Sequence, residues 1–398
     1  MRILYIGTVA SDKVMNNIYK YCKDRKPSMS SIVFDRNVAT GLAQQCETEV
    51  FSMIVAPSFP SCSKLCVNGK AEKIDKLPVK YIPYINIPGL KYFIFEFKLF
   101  LKILKWNIEN KTDEKVIVLS ANHAFFNRPA SFMKKKFGTK VYSIFTDLPE
   151  LEMSYSNKTS NLKKKILSFY QRNNQKRNEE LDGYVFLTEA MDKKINKKRK
   201  PSIIVEGVIG DDVVSEGKSA KKNAIMYAGT LNEKFGIKNL LDAFMKIKDD
   251  TLELWLYGYG DYDEKIREVA KIDNRIKFFG QRKREEILKA EQQARLLVNP
   301  RQNNDEYTNY SFPSKTMEYL ASGTPVLTYK LDGIPKEYDN YIYYVDGNSV
   351  DDLRSMIEKL ISKPQAELDK IGEKARKWVL ENKNIEAQTK KILELMKK

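Results

Sequence analysis

The apolar residues of this chain fall into short continuous runs separated by stretches with helical spacing. "RILYIG" ends at Gly7, and "ETEVFSMIV", "KVIVLSA", "TKVYSIFT", "YVFLT" and "PSIIVEGV" follow it in order. Short apolar runs bounded by polar or glycine residues predict buried strands. Between them, Ser28 to Gln45 and Arg128 to Phe137 predict helices. Strands that alternate with helices and are apolar throughout predict a parallel sheet covered on both faces.

The periodicity fades over "GDDVVSEGKSAKKN", which is polar and holds Gly210 and Gly217. That stretch reads as a linker. The alternation then restarts. "AIMYAG", "LELWLYG", "IKFFG", "RLLVNP", "PVLTY" and "YIYYV" predict strands, and "IKNLLDAFMKI", "DEKIREVAKI", "REEILKAEQQA" and "SKTMEYLAS" predict helices. "SVDDLRSMIEKLIS" and "IEAQTKKILELMKK" predict two closing helices. The expected organisation is a first domain over 1–207, the linker 208–222, a second domain over 223–380, and a C-terminal helix within 381–398 packing back toward the first domain. The fold class is α/β: two Rossmann-like, doubly wound domains facing across a cleft. Ligands in such sheets bind outside the carboxyl ends of the strands.

Composition narrows this picture in three ways. With 398 residues, 42% hydrophobic and 30% charged, the chain can bury ordinary cores and is not a disordered one. Its four cysteines include only a Cys62-x3-Cys66 pair, and its one histidine is His123. A structural zinc site takes about four ligands, so no metal is expected and the thiols read as reduced ones of a cytosolic protein. "MRILYIGTVA" lacks a secretory pattern, and no apolar run reaches the roughly 18 residues of a membrane span, so a cytoplasmic location is expected.

The formal net charge is +17 and it is uneven. Residues 1–207 hold 36 Lys and Arg against 20 Asp and Glu; the remainder is nearly neutral, with 33 against 32. The excess on the first half points to an anionic partner there, or to plain solvating charge. Lysine dominates and no arginine–aromatic module accompanies it, so nucleic acid is not the expected partner. "GLKYFIFEFKLFLKILKWNIENK", Gly89 to Lys111, places Phe93, Phe97, Phe100, Leu101, Leu104 and Ile108 on one helical face, with Lys98, Lys102 and Lys105 off it. With the basic runs Lys134–Lys136, Lys163–Lys165 and Lys197–Lys200, this reads as a surface docking peripherally on anionic membrane, or as a buried helix with a lysine-rich outer side.

Candidate chemistry concentrates in "NPRQNNDEYTNYSFPSKTMEYLASGTPVL", Asn299 to Leu327. Pro313 suits a first helical turn and Gly323 a left-handed end, so a helix from about Pro313 to Ser322 is expected. Its N-terminus can receive an anion through free N–H groups. Ser314 adds a hydroxyl and Lys315 a charge, and Lys315 shares a face with Glu318. Arg301 follows the strand "LLVNP". Two cations and a helix N-terminus for phosphates, with one carboxylate for ribose hydroxyls, outline a nucleoside-diphosphate site. The alternative is a surface ion pair Lys315–Glu318 and an unrelated arginine.

"SFPSKTMEYLASGTPVL" resembles the signature of glycosyltransferase family 4, of the GT-B fold. "YAGTLNEKFGIKNLLDAF" is similar to that family's loop facing the donor phosphates, and "LELWLYGYGDYDEKI" and "IKFFGQRKREEIL" to its next two blocks. The resemblance implies a retaining transfer from a nucleoside-diphosphate sugar, UDP- or GDP-linked, with neither a cofactor nor a divalent metal. Gly229, Thr230 and Gly258 would lie close to the nucleotide, and Arg282 near the base. Tyr310, Ser311, Ser314, Lys315, Arg301 and Glu318 would complete the donor site. The chain departs from the family in that its first glutamate falls on Tyr310, and its phosphate-loop cations fall on Thr230 and Phe235. Lys234 lies one place away, Arg301 and Lys315 are expected to supply the missing charge, and Glu306 to stand in for the lost glutamate as a catalytic carboxylate. Pro313 replaces a glycine and removes one N–H. "SFPSK" resembles a branch making bacterial surface polysaccharide.

On the acceptor side, Gly7 either faces the cleft or simply makes a tight turn. Asp147 either handles an acceptor hydroxyl or caps a helix. His123 is an acceptor residue or a satisfied structural one. If the basic half docks on membrane, at the inner face of the cell membrane, the acceptor is a lipid-linked saccharide. The competing functions are a non-catalytic partner of another transferase and a nucleotide-sugar isomerase, though a single histidine disfavours the latter.

Overall fold

The structure, a computed structural model, describes residues 1–23, 27, 29–110, 114–120, 123–148, 172–213, 220–303 and 306–397, without the side chains of 306 and 307. Lys163–Lys165 and residues 214–219 of the expected linker lie outside this set. The chain divides into two compact units, Met1–Val208 with Ile385–Lys398, and Ile209–Asn384.

In the first unit, β1 (Arg2–Gly7), β2 (Glu47–Ser52), β4 (Glu72–Ile74), β5 (Leu77–Tyr81), β7 (Lys115–Ser120), β8 (Lys140–Phe145), β9 (Gly183–Phe186) and β10 (Ser202–Ile204) form one sheet. Its order is β10-β9-β8-β7-β1-β2-β5-β4, and every pair is parallel except the β4–β5 hairpin. The sequence pattern did not anticipate β4 and β5. "EKIDKLPVKY" alternates apolar with polar, as a half-buried edge does, and carries Pro78. β3 (Cys66–Val67) and β6 (Tyr84–Ile85) pair separately. Central β1 is apolar from Ile3 to Ile6 because both of its faces are covered, and those residues are wholly buried.

The helices are α1 (Asp12–Tyr19), α2 (Met29–Gln45), α3 (Leu90–Glu109) and α4 (Ala124–Phe137), with further helices identified by their residues. α4 begins four residues earlier than expected and holds Pro129 inside it. α3 decides between the two readings of its apolar face, because the face gathered by the spacing is not the buried one. Phe95, Leu99, Ile103 and Trp106 are the buried ones, whereas Phe93, Phe97, Leu101 and Ile108 are exposed. The helix is apolar on two opposite sides, and the pattern alone could not say which side meets the core. The Ile385–Met396 helix packs on α2, where a side chain at Gly41 would meet Ile385 and Thr389. Gln45 Nε2 donates to Thr389 Oγ1 at 2.8 Å, and Gln388 Nε2 donates to the Gly207 carbonyl at 3.0 Å.

The second unit holds β11 (Ala224–Thr230), β12 (Glu253–Tyr259), β13 (Ile276–Gly280), β14 (Leu296–Asn299), β15 (Val326–Tyr329) and β16 (Tyr343–Val345). Their order is β13-β12-β11-β14-β15-β16, all parallel. Successive strands therefore run outward one way from β11, then restart at β14 on its other side. The same reversal occurs in the first unit between β1 and β7. Helices splay apart at such a switch point, which leaves an opening at the carboxyl ends of the two strands.

Candidate active site

The switch point of the second unit gathers the carboxyl end of β11, the residues after β14, and the Ser314–Ser322 helix. The helix runs as expected except at its first residue. Pro313 is the cap itself (φ −75°, ψ 94°), so it takes no N–H from the first turn, and Gly323 ends the helix at φ 78°. Two hydrogen bonds fix the helix to the sheet edge. Ala228 N–H donates to the Tyr319 hydroxyl at 2.7 Å, and that hydroxyl donates to the Ala228 carbonyl at 3.1 Å. Asn299, closing β14, donates to Thr316 Oγ1 at 3.3 Å.

Glycines bring the neighbouring turns together. Gly258, at φ 132°, packs so closely on the Gly229 carbonyl that a Cβ would collide with it. Gly236, at φ 83°, meets Pro300 in the same way. These contacts hold the ends of β11, β12 and β14 at backbone distance, so a ligand would approach the main chain itself. Thr230 is exposed at the end of β11, and Lys234 is exposed one turn further with its ammonium 4.9 Å from the Phe235 ring. Arg282 is exposed just past Gly280, which sits at φ 65°.

Arg301 and Lys315 have different partners. Arg301 Nη2 donates to Ser311 Oγ at 2.7 Å, and its guanidinium carbon lies 5.8 Å from the Phe235 ring centre. Lys315 instead donates to Glu318, one turn along its own helix, and its ammonium is 3.7 Å from Glu291. The pairing expected as an alternative, Lys315 with Glu318, is present and half-buried: the side chain of Glu318 is 11% exposed and that of Lys315 34%. Ser314 is exposed at the first turn, and Tyr310 ends the short 3-10 segment that begins at Glu306. The Glu306 side chain lies outside the described residues.

Two members of this cluster escaped the sequence reading. Arg284, opening the Arg284–Gln293 helix, donates from Nη1 to Glu318 Oε2 at 2.6 Å and from Nε to Asp212 Oδ2 at 2.8 Å. Glu291, seven residues on, is fully buried and has no hydrogen bond to either carboxylate oxygen. Burial, then the neighbouring negative charge of Glu318, raise its pKa well above the usual carboxylate range, so it holds its proton. Burial opposes ionisation of Glu318 too, yet Lys315 and Arg284 outweigh it and hold that pKa low. The signal for Glu291 was available: Ile287, Ala290, Glu291 and Ala294 lie at i, i+3, i+4 and i+7, which puts a carboxyl on a core-facing stripe. Arg284 gave none, since its partners lie 34 and 72 residues away.

In the first unit the switch point carries a second cluster, also missed. Asp35 of α2 is buried and accepts from Thr8 N–H and Thr8 Oγ1, each at 2.7 Å, from the Tyr5 hydroxyl at 3.1 Å, and from Ser120. Burial raises its pKa, while the hydrogen bonds from Ser120, Thr8 and Tyr5 pull the other way. Gly7 is glycine for packing: a Cβ there would lie 2.8 Å from Asp35 Oδ2 and from Ser120 Cβ. His123 precedes α4 with its ring stacked on Phe125, centroids 4.9 Å apart, and burial lowers its pKa so that it is neutral. Asp147 is exposed two residues past β8.

These two sheets define the class. The chain has a GT-B fold, with two Rossmann-like units, and aligns over its full length with solved structures of that fold. One is sucrose-phosphate synthase from Thermosynechococcus elongatus, 14% identical, with a TM-score of 0.69 and coverage of 100% of this chain and 98% of that one. Another is HepE from Anabaena in complex with UDP, 13% identical, with a TM-score of 0.68 and full coverage of both chains. Residues 209–378 match the family described as Glycosyl transferases group 1. An uncharacterized glycosyltransferase of Methanocaldococcus jannaschii, MJ1069, is 22% identical over 367 residues, covering 87% of this chain and 89% of that protein. The protein is a glycosyltransferase.

Proposed function

We propose that this glycosyltransferase is of family 4 and retains anomeric configuration, moving a sugar from a UDP- or GDP-sugar to a lipid-linked saccharide in bacterial surface-polysaccharide synthesis. The observation that carries the donor part is the strand-order reversal between β11 and β14, with glycine-lined backbone, Arg301 and the first turn of the Ser314–Ser322 helix at that carboxyl edge. The solved structure of HepE holds UDP, and its fold is the same.

The chemistry asked of these residues is electrostatic. The leaving diphosphate gains negative charge as the glycosidic bond breaks, and preorganised donors stabilise it. Arg301, held by Ser311, and the N–H groups of Ser314 and Lys315 supply that stabilisation without a divalent ion. Glu318 accepts ribose hydroxyls, its carboxylate oriented by Arg284 and Lys315. Lys315 thus acts through Glu318 as well as by its own charge. Thr230, Lys234, Gly229 and Gly258 border the phosphates, Tyr310 flanks them, and Arg282 lies toward the base. In the first unit, Gly7, His123 and Asp147 serve the acceptor. Glu306 stands for the carboxylate that the family carries at Tyr310.

Calorimetric titration of UDP, GDP, ADP and CMP tests the donor reading. One uridine or guanosine diphosphate is expected to bind, with Arg301→Ala weakening it about tenfold or more, the loss of one charge-assisted hydrogen bond. Binding of none of the four, or full affinity in Arg301→Ala, removes the reading.

A further inference from the structure

We propose that the outer face of α3, with the groove between it and α4, is a docking surface for an anionic lipid bilayer. A helix apolar on all sides is ordinarily enclosed. α3 is apolar on two sides, but only one is enclosed. Its outer stripe leaves Phe93 71% exposed, Phe97 59% and Ile108 61%. These residues share one face by spacing, opposite Phe95, Leu99 and Ile103, which meet the core. The stripe continues onto the next helix, since Phe100 packs edge-on against Phe132 of α4, with ring centroids 5.1 Å apart. Between the two helices lies a groove of about 450 Å³, lined by Phe93, Phe97, Phe100 and Phe132 with Arg128, Lys135 and Arg177.

The charges around the stripe select the occupant. Lys98, Lys102 and Lys105 run along one side, and Arg128, Lys135 and Arg177 border the groove on the other. The carboxylates of Glu96, Glu109 and Glu180 offset part of this, paired with Arg128 at 3.2 Å, Lys105 at 3.5 Å and Lys135 at 2.9 Å. Lys98 and Lys102 enter no ion pair among the described residues. A protein partner is a poorer fit, because the cores of protein interfaces are aromatic but depleted of lysine. An aromatic stripe between two cationic margins matches the acyl–headgroup boundary of an anionic leaflet. Among the described residues no helix is long and apolar enough to cross a membrane, so α3 would lie in the surface. Among the described residues, several cations of the other basic stretches have partners within the protein. Lys134 pairs with Asp182, Lys198 with Glu179 at 2.9 Å, and Lys200 donates to the Leu181 carbonyl.

This surface belongs to the first unit, whereas the donor reading rests on the second, so either can fail while the other stands. The test is co-sedimentation of the full chain with phosphatidylcholine vesicles, with and without phosphatidylglycerol, at low and high salt. Binding to the anionic vesicles alone is expected, weakened by salt. The double variant Lys98→Glu with Lys102→Glu is expected to lower it at least about tenfold. The double variant Phe93→Ser with Phe97→Ser is expected to abolish it, with circular dichroism and nucleotide affinity unchanged. Equal recovery on both vesicle types, no recovery on either, or full binding by the serine variant overturns the proposal. So does a wild-type dimer in solution that the serine variant converts to monomer without vesicle binding, since the face would then meet a second copy.

Discussion

The hydroxyl of Tyr319 hydrogen bonds both backbone groups of Ala228, on the side of β11 where β14 has stopped doing so. β14 pairs with β11 at Ile225 and Met226. Two residues further along, Tyr319 accepts the Ala228 N–H and donates to its carbonyl. A side chain thus continues the ladder and fixes the Ser314–Ser322 helix against the strand that ends at the candidate donor site.

Tyr319→Phe follows directly. It leaves two buried backbone groups without those partners, at a cost of about 1–3 kcal/mol for an unsatisfied group. Chemical denaturation should show this loss, and nucleotide affinity should fall with it as the helix loses its anchor. Wild-type stability in the variant would mean that Ala228 is satisfied some other way.

Arg284 and Glu318 should act together. Glu318→Gln keeps the shape but takes the counter-charge from Lys315 and Arg284. Arg284→Ala leaves Glu318 oriented by Lys315 alone. The KM for the donor is expected to rise about tenfold in each, the worth of one charged hydrogen bond. Their combined effect should be less than the product of the two, because they act through one carboxylate. Independent, multiplying effects would show that the two residues serve different steps.

Glu291 should make stability fall as pH rises. Its proton is held in the folded state well above the ordinary carboxylate range, whereas in the unfolded chain it is lost at about pH 4.3. Between those limits the folded protein binds the extra proton, so raising the pH favours unfolding. Glu291→Gln lacks this dependence. Urea midpoints measured at rising pH should shift in favour of the variant relative to wild type. Parallel curves for the two proteins would mean that Glu291 titrates normally.

Gly258→Ala should disrupt the strand ends that border the donor site. It places a Cβ against the Gly229 carbonyl at a residue whose φ of 132° already disfavours any side chain. A loss of more than about 2 kcal/mol is expected from the strain and the collision together. Thermal unfolding checks this, with Gly138→Ala as the milder comparison; equal losses in the two variants would mean that the strand ends yield to the new side chain. Gly138 has nothing near its Cβ and sits in the left-handed helical region at φ 69° and ψ 12°, so its variant shows the smaller cost of a positive φ without a collision.

The candidate site was legible where its residues are local in sequence. Lys315 and Glu318 lie one turn apart, and their pairing was foreseeable from that spacing. The cluster around Glu318 was not, because Asp212 and Arg284 come from distant elements. Asp35 is similar. It sits among Ile32, Val38, Ala39 and Leu42 on the buried side of α2, a position where a carboxylate needs donors. Those donors, Thr8 and Ser120, come from two other strand ends.

By itself the sequence determined the α/β class and most strands and helices of the two sheets, though not the β4–β5 edge or the start of α4, since hydrophobic period is set by neighbours within a few residues. Only the tertiary structure decided which apolar side of α3 meets the core, which cations Glu318 keeps, and that Arg301 and Lys315 take separate partners. Those outcomes depend on which residues the sheet order brings side by side, and no local pattern encodes that order.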